Sequence, residues 1–374
     1  MNDNVNRKVL KASGITAVIF VSCLILCLLL ELTVAAIAGK IEFIDAGERW
    51  SADGERYAVV SMYAEESSGV SYDQVTQWAY SIDAALLSES ITPSEKGRSW
   101  TWCSAAQTTM TFIGPMGKST VELMAVSGDF FVVHPMKFTY GSAFLNDNSL
   151  PMGVVLDREA AWDLFGTENV IGMEIEAGGQ AFTVVGIVEK ESRSGMYAYT
   201  YGERPRIYMN YAGYAKISGH GSNITVFEAV LPNAVSSFAK NIFTGVVRTN
   251  EETTTLLESS DRFSLENRFE GMKQLPYSWI RSNKIEFPYW ENEARAADFA
   301  CAVMMIFEVG FAAVGVVSML LSFILLRTSG YTFTDTVKNV YRKIEKQNSK
   351  KTRQKSPKKY KKPTTDSKRP SDIS

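Results

Sequence analysis

A chain of 374 residues, 45% of them apolar and with a formal charge of -2, is long enough for one or two packed domains. Two histidines argue against a multi-histidine metal centre or a paired-histidine mechanism. The four cysteines, Cys23, Cys27, Cys103 and Cys301, argue against a disulfide scaffold, because three fall in apolar runs and leave Cys103 alone in the polar middle.

The near-zero charge hides a segregation. From Arg327 onward the chain carries 15 Lys and Arg against 4 Asp and Glu, so the long polar middle is acidic. Two apolar runs, Gly14 to Ala38 and Phe299 to Leu326, flank that middle. Each is about 25 residues, roughly 37 Å as a helix against a hydrocarbon core of roughly 30 Å, so each is long enough to span a membrane. Arg7, Lys8 and Lys11 precede the first run and the basic tail follows the second. The positive-inside rule therefore predicts both termini in the cytoplasm and the middle outside. A cleaved signal peptide is the rival reading of the first run, with Ala36-Ile37-Ala38 as its cleavage site. The run is longer than a signal h-region of about 7 to 15 residues, which favours an uncleaved anchor. The expected division is a stub at 1–13, a span at 14–38, an outer domain at 39–298, a span at 299–326 and a cytoplasmic tail at 327–374.

Within the outer domain, Tyr57 to Ala64 reads as a strand. Ser71 with Gln74 forms a capping-box pattern before a helix whose Val75, Trp78, Ala79, Ile82 and Leu86 share one face. Thr101 to Ile113 and Val121 to Val126 flank a Gly-Pro-Met-Gly turn and predict a hairpin. Gly128 to Phe131 then lead through Pro135 and Gly141 into a loop expected around Asn146-Asp147-Asn148. Gly153 to Leu156 is a short buried strand, and Asp157 is placed to cap a helix ending at Gly166. Met173 to Glu176 and Ala181 to Val188, around Gly178-Gly179, predict a tight hairpin. Strands at Arg206 to Asn210 and Thr225 to Leu231 follow, and a helix is expected from Asn233 with Val235, Phe238, Ala239 and Ile242 inward. The result is an α+β extracytoplasmic domain of split β-α-β units.

The stretch from Phe138 to Glu189 carries Tyr140-Gly141-Ser142-Ala143-Phe144, Val154-Val155-Leu156-Asp157, Ala161 to Gly166, Ile171-Gly172 and Phe182 to Gly186 in that order. This order resembles the MacB-like periplasmic core domain of FtsX-like ABC permeases. These residues are ones a fold needs, and none is expected to be catalytic. The resemblance implies a bacterial cell-membrane protein moved by a partner ABC ATPase, acting with a further permease subunit or by self-association. Permeases of that family have four spans, whereas two are legible here, so the chain resembles the first half of one.

Glu31, near the outer end of the first run, and Glu308, about ten residues into the second from the outside, sit where a carboxylate is costly unless it has a partner, and both are expected to contact another subunit, one another or a common partner. Tyr289 and Trp290, just before the second span, suit a membrane-interface belt. In the tail, Val337, Val340, Tyr341 and Ile344 recur at helical spacing among basic residues, which predicts a short docking helix or a contact with anionic inner-leaflet lipids. Beyond it the composition predicts disorder. Nucleic acid is not expected as a partner beside a membrane span. There is no Walker A pattern, nucleophile elbow or legible triad, so neither catalytic residues nor cofactor or metal ligands are assigned and an enzyme is not expected. Two functions are carried forward: a membrane subunit of an ABC-type transport or mechanotransmission complex, or a membrane-anchored adaptor or sensor without transport activity. An extracellular hydrolase is a distant third. Stoichiometric association with an ABC ATPase separates the first two.

Overall fold

The structure, a computed structural model, describes residues 3–41, 43–51, 54–93, 97–144, 152–189, 202–219, 223–278 and 284–329. Two compact units divide the chain, one at 28–308 and the other joining 1–27 with 309–374.

The larger unit is built on a mixed sheet. In chain order its elements begin with α1 (Asp3–Ala38), which it shares with the smaller unit, then α2 (Ala46–Trp50), β1 (Tyr57–Ala64), a 3-10 turn at Glu66–Ser68, and α3 (Tyr72–Ser88). There follow β2 (Thr101–Gly114), β3 (Gly117–Gly128), α4 (Phe130–Val133), β4 (Phe138–Gly141), β5 (Gly153–Asp157) and α5 (Arg158–Phe165). The chain continues with β6 (Glu174–Ala177), β7 (Gln180–Val188), β8 (Arg206–Asn210), α6 (Tyr211–Ser218), β9 (Val226–Pro232), α7 (Phe238–Val246) and β10 (Thr254–Glu258). It closes with α8 (Leu265–Ser278) and α9 (Tyr289–Ser329), which runs on into the smaller unit.

Among the described residues the ten strands form one sheet in the order β10-β1-β9-β2-β3-β8-β5-β7-β4, with β6 pairing β2 and β7. Every residue of β9 is buried, because it sits between β1 and β2 with both faces covered. A strand buried on both faces reads as a continuous apolar run, and VFEAVLP does so except at Glu228.

Local chemistry accounts for much of this. The Ser71 hydroxyl accepts from Gln74 N at 3.2 Å and starts α3, whose Val75, Trp78, Ala79, Ile82 and Leu86 are the buried stripe expected of them. Asp157 does two tasks: one carboxylate oxygen accepts from Ala160 N at 2.7 Å to cap α5, and the other accepts from Arg206 N at 2.7 Å to join β5 to β8. Gly166 ends α5 at φ +71°, where a side chain would be strained. Gly141 is also left-handed, and a Cβ there would stand 2.1 Å from Val185 O, so only glycine allows β4 to approach β7 this closely.

One sequence expectation needs correcting. The helix expected from Asn233 begins at Phe238, and Val235 is 71% exposed. Ser237 adopts φ +65° and breaks the chain direction before the helix, while the Asn233 side chain caps it by accepting from Ala239 N at 3.2 Å. The residues leading to the expected loop hold α4 and β4, and the loop around Asn146-Asp147-Asn148 lies outside the described residues.

The two faces of the sheet are covered differently. Against one pack α3, α5, α6 and α7, burying Val75, Ile82, Leu86, Leu164, Tyr214 and Phe243. Against the other pack α2, α4, the segment holding Ile285 and Phe287, and the first turns of α9.

In the smaller unit, Ser13 and Ser322 hydroxyls lie 3.2 Å apart, and a Cβ on Gly315 would stand 3.4 Å from that of Cys23, so the two helices meet closely there. Lys8–Ala38 and Tyr289–Thr328 are long and apolar enough to cross a membrane by length and composition. The second helix starts at Tyr289, ahead of the apolar run that begins at Phe299.

Candidate functional site

The strand register assembles a buried polar row. Ser61 of β1 and Cys103 of β2 both stand directly opposite Glu228 of β9, and side chains at matched positions share a face. Tyr63, two residues on from Ser61, shares that face too. The carboxylate of Glu228, with no exposed surface, is saturated with donors. One oxygen accepts from Tyr63 OH at 2.8 Å, Ser61 Oγ at 3.2 Å and Trp290 Nε1 at 3.2 Å. The other accepts from the Cys103 thiol at 3.7 Å and is hydrogen-bonded to His134 Nε2, delivered by the end of α4. The imidazole of His134 packs against Trp290, with ring centroids 4.2 Å apart, and against Phe130 at 4.8 Å.

Burial alone would raise the Glu228 pKa. The positive charge and hydrogen bond of His134, with the Tyr63 and Trp290 bonds, outweigh it, and the carboxyl lies below its ordinary 4.5. The Tyr63 hydroxyl and the Cys103 thiol are pushed well up, first by burial and then by the negative charge of Glu228. Cys103 is therefore a protonated core thiol and not an activated nucleophile. Cys103, His134 and Glu228 offer donor atoms within 4.8 Å of one another, a set a borderline metal ion would accept. The second Glu228 oxygen already bonds both of the other two, so in this structure they hold one another.

Next to this row lies a second charge cluster. Arg262 makes a forked pair with Glu291, Nη1 to Oε2 and Nη2 to Oε1 each at 2.8 Å, and its Nε donates to Asp298 at 2.8 Å. Glu291 has no exposed surface. Burial opposes the charge on Arg262, but Glu291 and Asp298 outweigh it and hold the guanidinium pKa above its ordinary value. Tyr63 OH reaches Glu291 at 3.5 Å and so touches both clusters.

A third cluster draws together the two glutamates of the apolar runs. Arg268 of α8 donates to Glu308 at 3.1 and 3.2 Å and to Glu31 at 2.7 Å. The guanidinium is 2% exposed and the Glu308 side chain 8%. The shared partner of the two acids is thus a residue of their own chain, from a helix that sequence reading left unassigned.

Tyr289 and Trp290, expected in an interfacial belt, are instead 5% and 3% exposed and form part of the sheet's core. Trp290 spends its N–H on Glu228, and Tyr289 lies under the Arg206 guanidinium, 4.1 Å from its ring centre, while Arg206 pairs with Glu122 at 2.9 Å. An aromatic pair beside an apolar run has the composition of a belt, but its partners lie in distant strands. Val337, Val340, Tyr341 and Ile344, and the tail beyond Ser329, fall outside the described residues.

Sequence reading missed His134, Glu228, Arg262 and Arg268. Glu228 left one signal, an acid within an otherwise apolar strand. Arg262 and Arg268 sit among ordinary polar residues and His134 follows an apolar run, and the partners of all three are distant in the chain.

The family model of the MacB-like periplasmic core domain matches residues 33–254, more than half of the chain. The chain belongs to the MacB-like periplasmic core domain family. Among solved structures, the periplasmic region of MacB from Actinobacillus actinomycetemcomitans is 15% identical, covers 59% of this chain and 92% of that one, and gives a TM-score of 0.41. The extracellular domain of the noncanonic ABC-type transporter YknZ from Gram-positive bacteria is 12% identical, covers 53% of this chain and 99% of that one, and gives 0.37. No curated protein matches the sequence. The matched MacB-like core takes in Tyr63, Cys103, His134 and Glu228, while Arg262, Arg268 and Glu291 lie beyond its end. The polar clusters therefore join the family domain to the segment that follows it.

Proposed function

We propose that this chain is the membrane subunit of an ABC-type transport or mechanotransmission complex, in which a partner ATPase moves the outer domain through the membrane spans. Both termini are cytoplasmic in this reading, and the chain pairs with a second permease subunit or with itself, because two spans do not enclose a pathway. The basic tail meets anionic inner-leaflet lipids, and Val337, Val340, Tyr341 and Ile344 supply a docking face for the ATPase. The chain performs no catalysis of its own.

The observation that carries this reading is the start of α9. Its first three turns place Trp290, Glu291 and Asp298 in hydrogen bonds with Glu228 and Arg262 of the sheet unit, and the same helix goes on into the apolar run. A tether that served only as an anchor would need no buried charges at its junction, since breaking a buried ion pair costs about 3 to 5 kcal/mol. Bonds that are directional and expensive to break suit a joint that carries displacement without slipping.

Purification of the intact chain from gently solubilised native membranes tests the reading. A stoichiometric ABC ATPase is expected to accompany it, and Val340→Asp with Ile344→Asp should release that ATPase while leaving the basic tail intact. Recovery of the chain without any ATPase, under conditions that preserve known transporter complexes, would favour an adaptor.

A further inference from the structure

Helix α8 has two unlike sides. Leu265, Arg268, Phe269 and Met272 recur at helical spacing on one side, and Glu266, Asn267, Glu270 and Gln274 occupy the other, all four exposed. Leu265 is 60% exposed and Phe269 39%, although they share their side with Arg268, which is almost fully buried. Single exposed apolar residues are ordinary on a protein surface. The position of these two is what sets them apart.

Arg268 fixes that position. It binds Glu31 of α1 and Glu308 of α9, and so holds α8 level with those two residues. Glu31 comes twenty positions after Lys11, and Glu308 nineteen before Arg327. Along a helix each lies about 30 Å from its basic residue, which is the thickness of a hydrocarbon core. The ion triad therefore falls at the outer edge of the apolar layer. At the same level Leu28, Leu32, Ile306 and Phe307 of the two long helices are exposed as well. α8 lies beside α9 here, since a Cβ built on Gly271 would be in ordinary van der Waals contact with the Ala302 methyl, 3.6 Å away. Lys273 reaches over the Phe269 ring, 4.6 Å from its centre, and pairs with Glu270 at 2.6 Å, as a lysine does when its stem covers apolar surface and its ammonium turns to water.

We propose that α8 is an interfacial helix lying in the outer leaflet, with Leu265 and Phe269 in the acyl-chain layer and Glu266, Asn267, Glu270 and Gln274 facing water. This rests on the reading of α1 and α9 as membrane spans. Its partner is the lipid bilayer itself, met through apolar contact and not through a particular headgroup. The helix would fix the height of the outer domain above the membrane, because Arg268 ties it to both spans.

The test uses the full wild-type chain in phosphatidylcholine nanodiscs that contain a lipid with a photoactivatable diazirine on its acyl chain. After illumination and trypsin digestion, acyl adducts are expected on fragments 263–268 and 269–273 as well as on fragment 12–40 from the first span. Leu265→Asp with Phe269→Asp should lower the α8 adducts by about tenfold and leave those on fragment 12–40 unchanged, because two apolar side chains would have left the lipid. The wild-type fragments decide the matter even where the aspartate variant does not fold, and Leu265→Gln with Phe269→Gln is the milder second variant. Adducts on fragment 12–40 with none on 263–273 would overturn the interfacial helix and leave the spans standing. Absence of adducts from both would overturn the membrane reading itself.

Discussion

Both faces of the sheet are buried, and they differ in what they bury. The face under α3, α5, α6 and α7 is almost wholly apolar, with Phe227, Phe243, Ile82 and Leu86 interlocked. The face under α4 and α9 surrounds Glu228, His134, Glu291 and Arg262 with Phe130, Tyr208 and Trp290. Apolar packing stabilises a fold and tolerates small shifts, since its contacts are non-directional. Buried charges add little net stability when paired and cost much when parted, so they fix one arrangement. The face built to tolerate movement is therefore away from α9, and the face built to resist it holds the helix.

Substitution on the two faces should separate these roles. Arg262→Ala leaves the Glu291 carboxylate buried without its forked partner, and a loss of about 3 to 5 kcal/mol is expected in denaturant unfolding of the full chain in detergent. Leu86→Ala, on the apolar face, should cost about 3 kcal/mol by transfer and cavity terms. The two differ in pattern more than in size. Arg262→Met combined with Glu291→Leu should recover most of the lost stability, because an apolar pair of similar volume replaces the ion pair, and still weaken any ATPase-driven response. Full retention of that response in the double variant would break the comparison.

A smaller effect is expected from pH. The Glu228 pKa is lower in the folded chain than its ordinary 4.5, so the unfolded chain binds its proton first as the medium is acidified. The stability it supplies is complete above about pH 4.5 and is lost as pH falls through the folded value. On the alkaline side the raised pKa values of Cys103 and Tyr63 act in the other sense: stability falls as pH rises above 9.0 and then 10.0, where the unfolded groups ionise and the folded ones do not. Glu228→Gln should flatten the acid limb of a stability-against-pH curve and reduce the alkaline slope, since Glu228 helps to raise both neighbours. An unchanged acid limb in that variant would show that the charge on this face is not the one that responds.

The apolar face was the readable one. Helical spacing in α3, the Asp157 cap, the glycine turns between β2 and β3 and between β6 and β7, and the order of motifs in the family domain are all local in the chain. The polar face depends on contacts across long separations, such as His134 with Glu228 and Arg268 with Glu31. No periodicity marks such pairs. Trp290 shows the limit most plainly: beside an apolar run it has the composition of a membrane-interface residue, while its bond to Glu228 and its ring contacts with His134 and Phe130 hold it in the core from far along the chain. Glu31 and Glu308 were legible as needing a partner but not as sharing Arg268, because α8 has too weak an apolar pattern to be read as a helix.

The central claim is that the start of α9 and the sheet move as one body, joined through Glu228, Glu291 and Arg262. Amide hydrogen exchange of the full chain in nanodiscs tests it most directly. The account predicts that amides from Ala294 to Ala302 are protected to the same level as those of Val226 to Leu231, and that Arg262→Ala lowers both together. Exchange of the α9 amides at a level of its own, unchanged by Arg262→Ala while β9 stays protected, would contradict it.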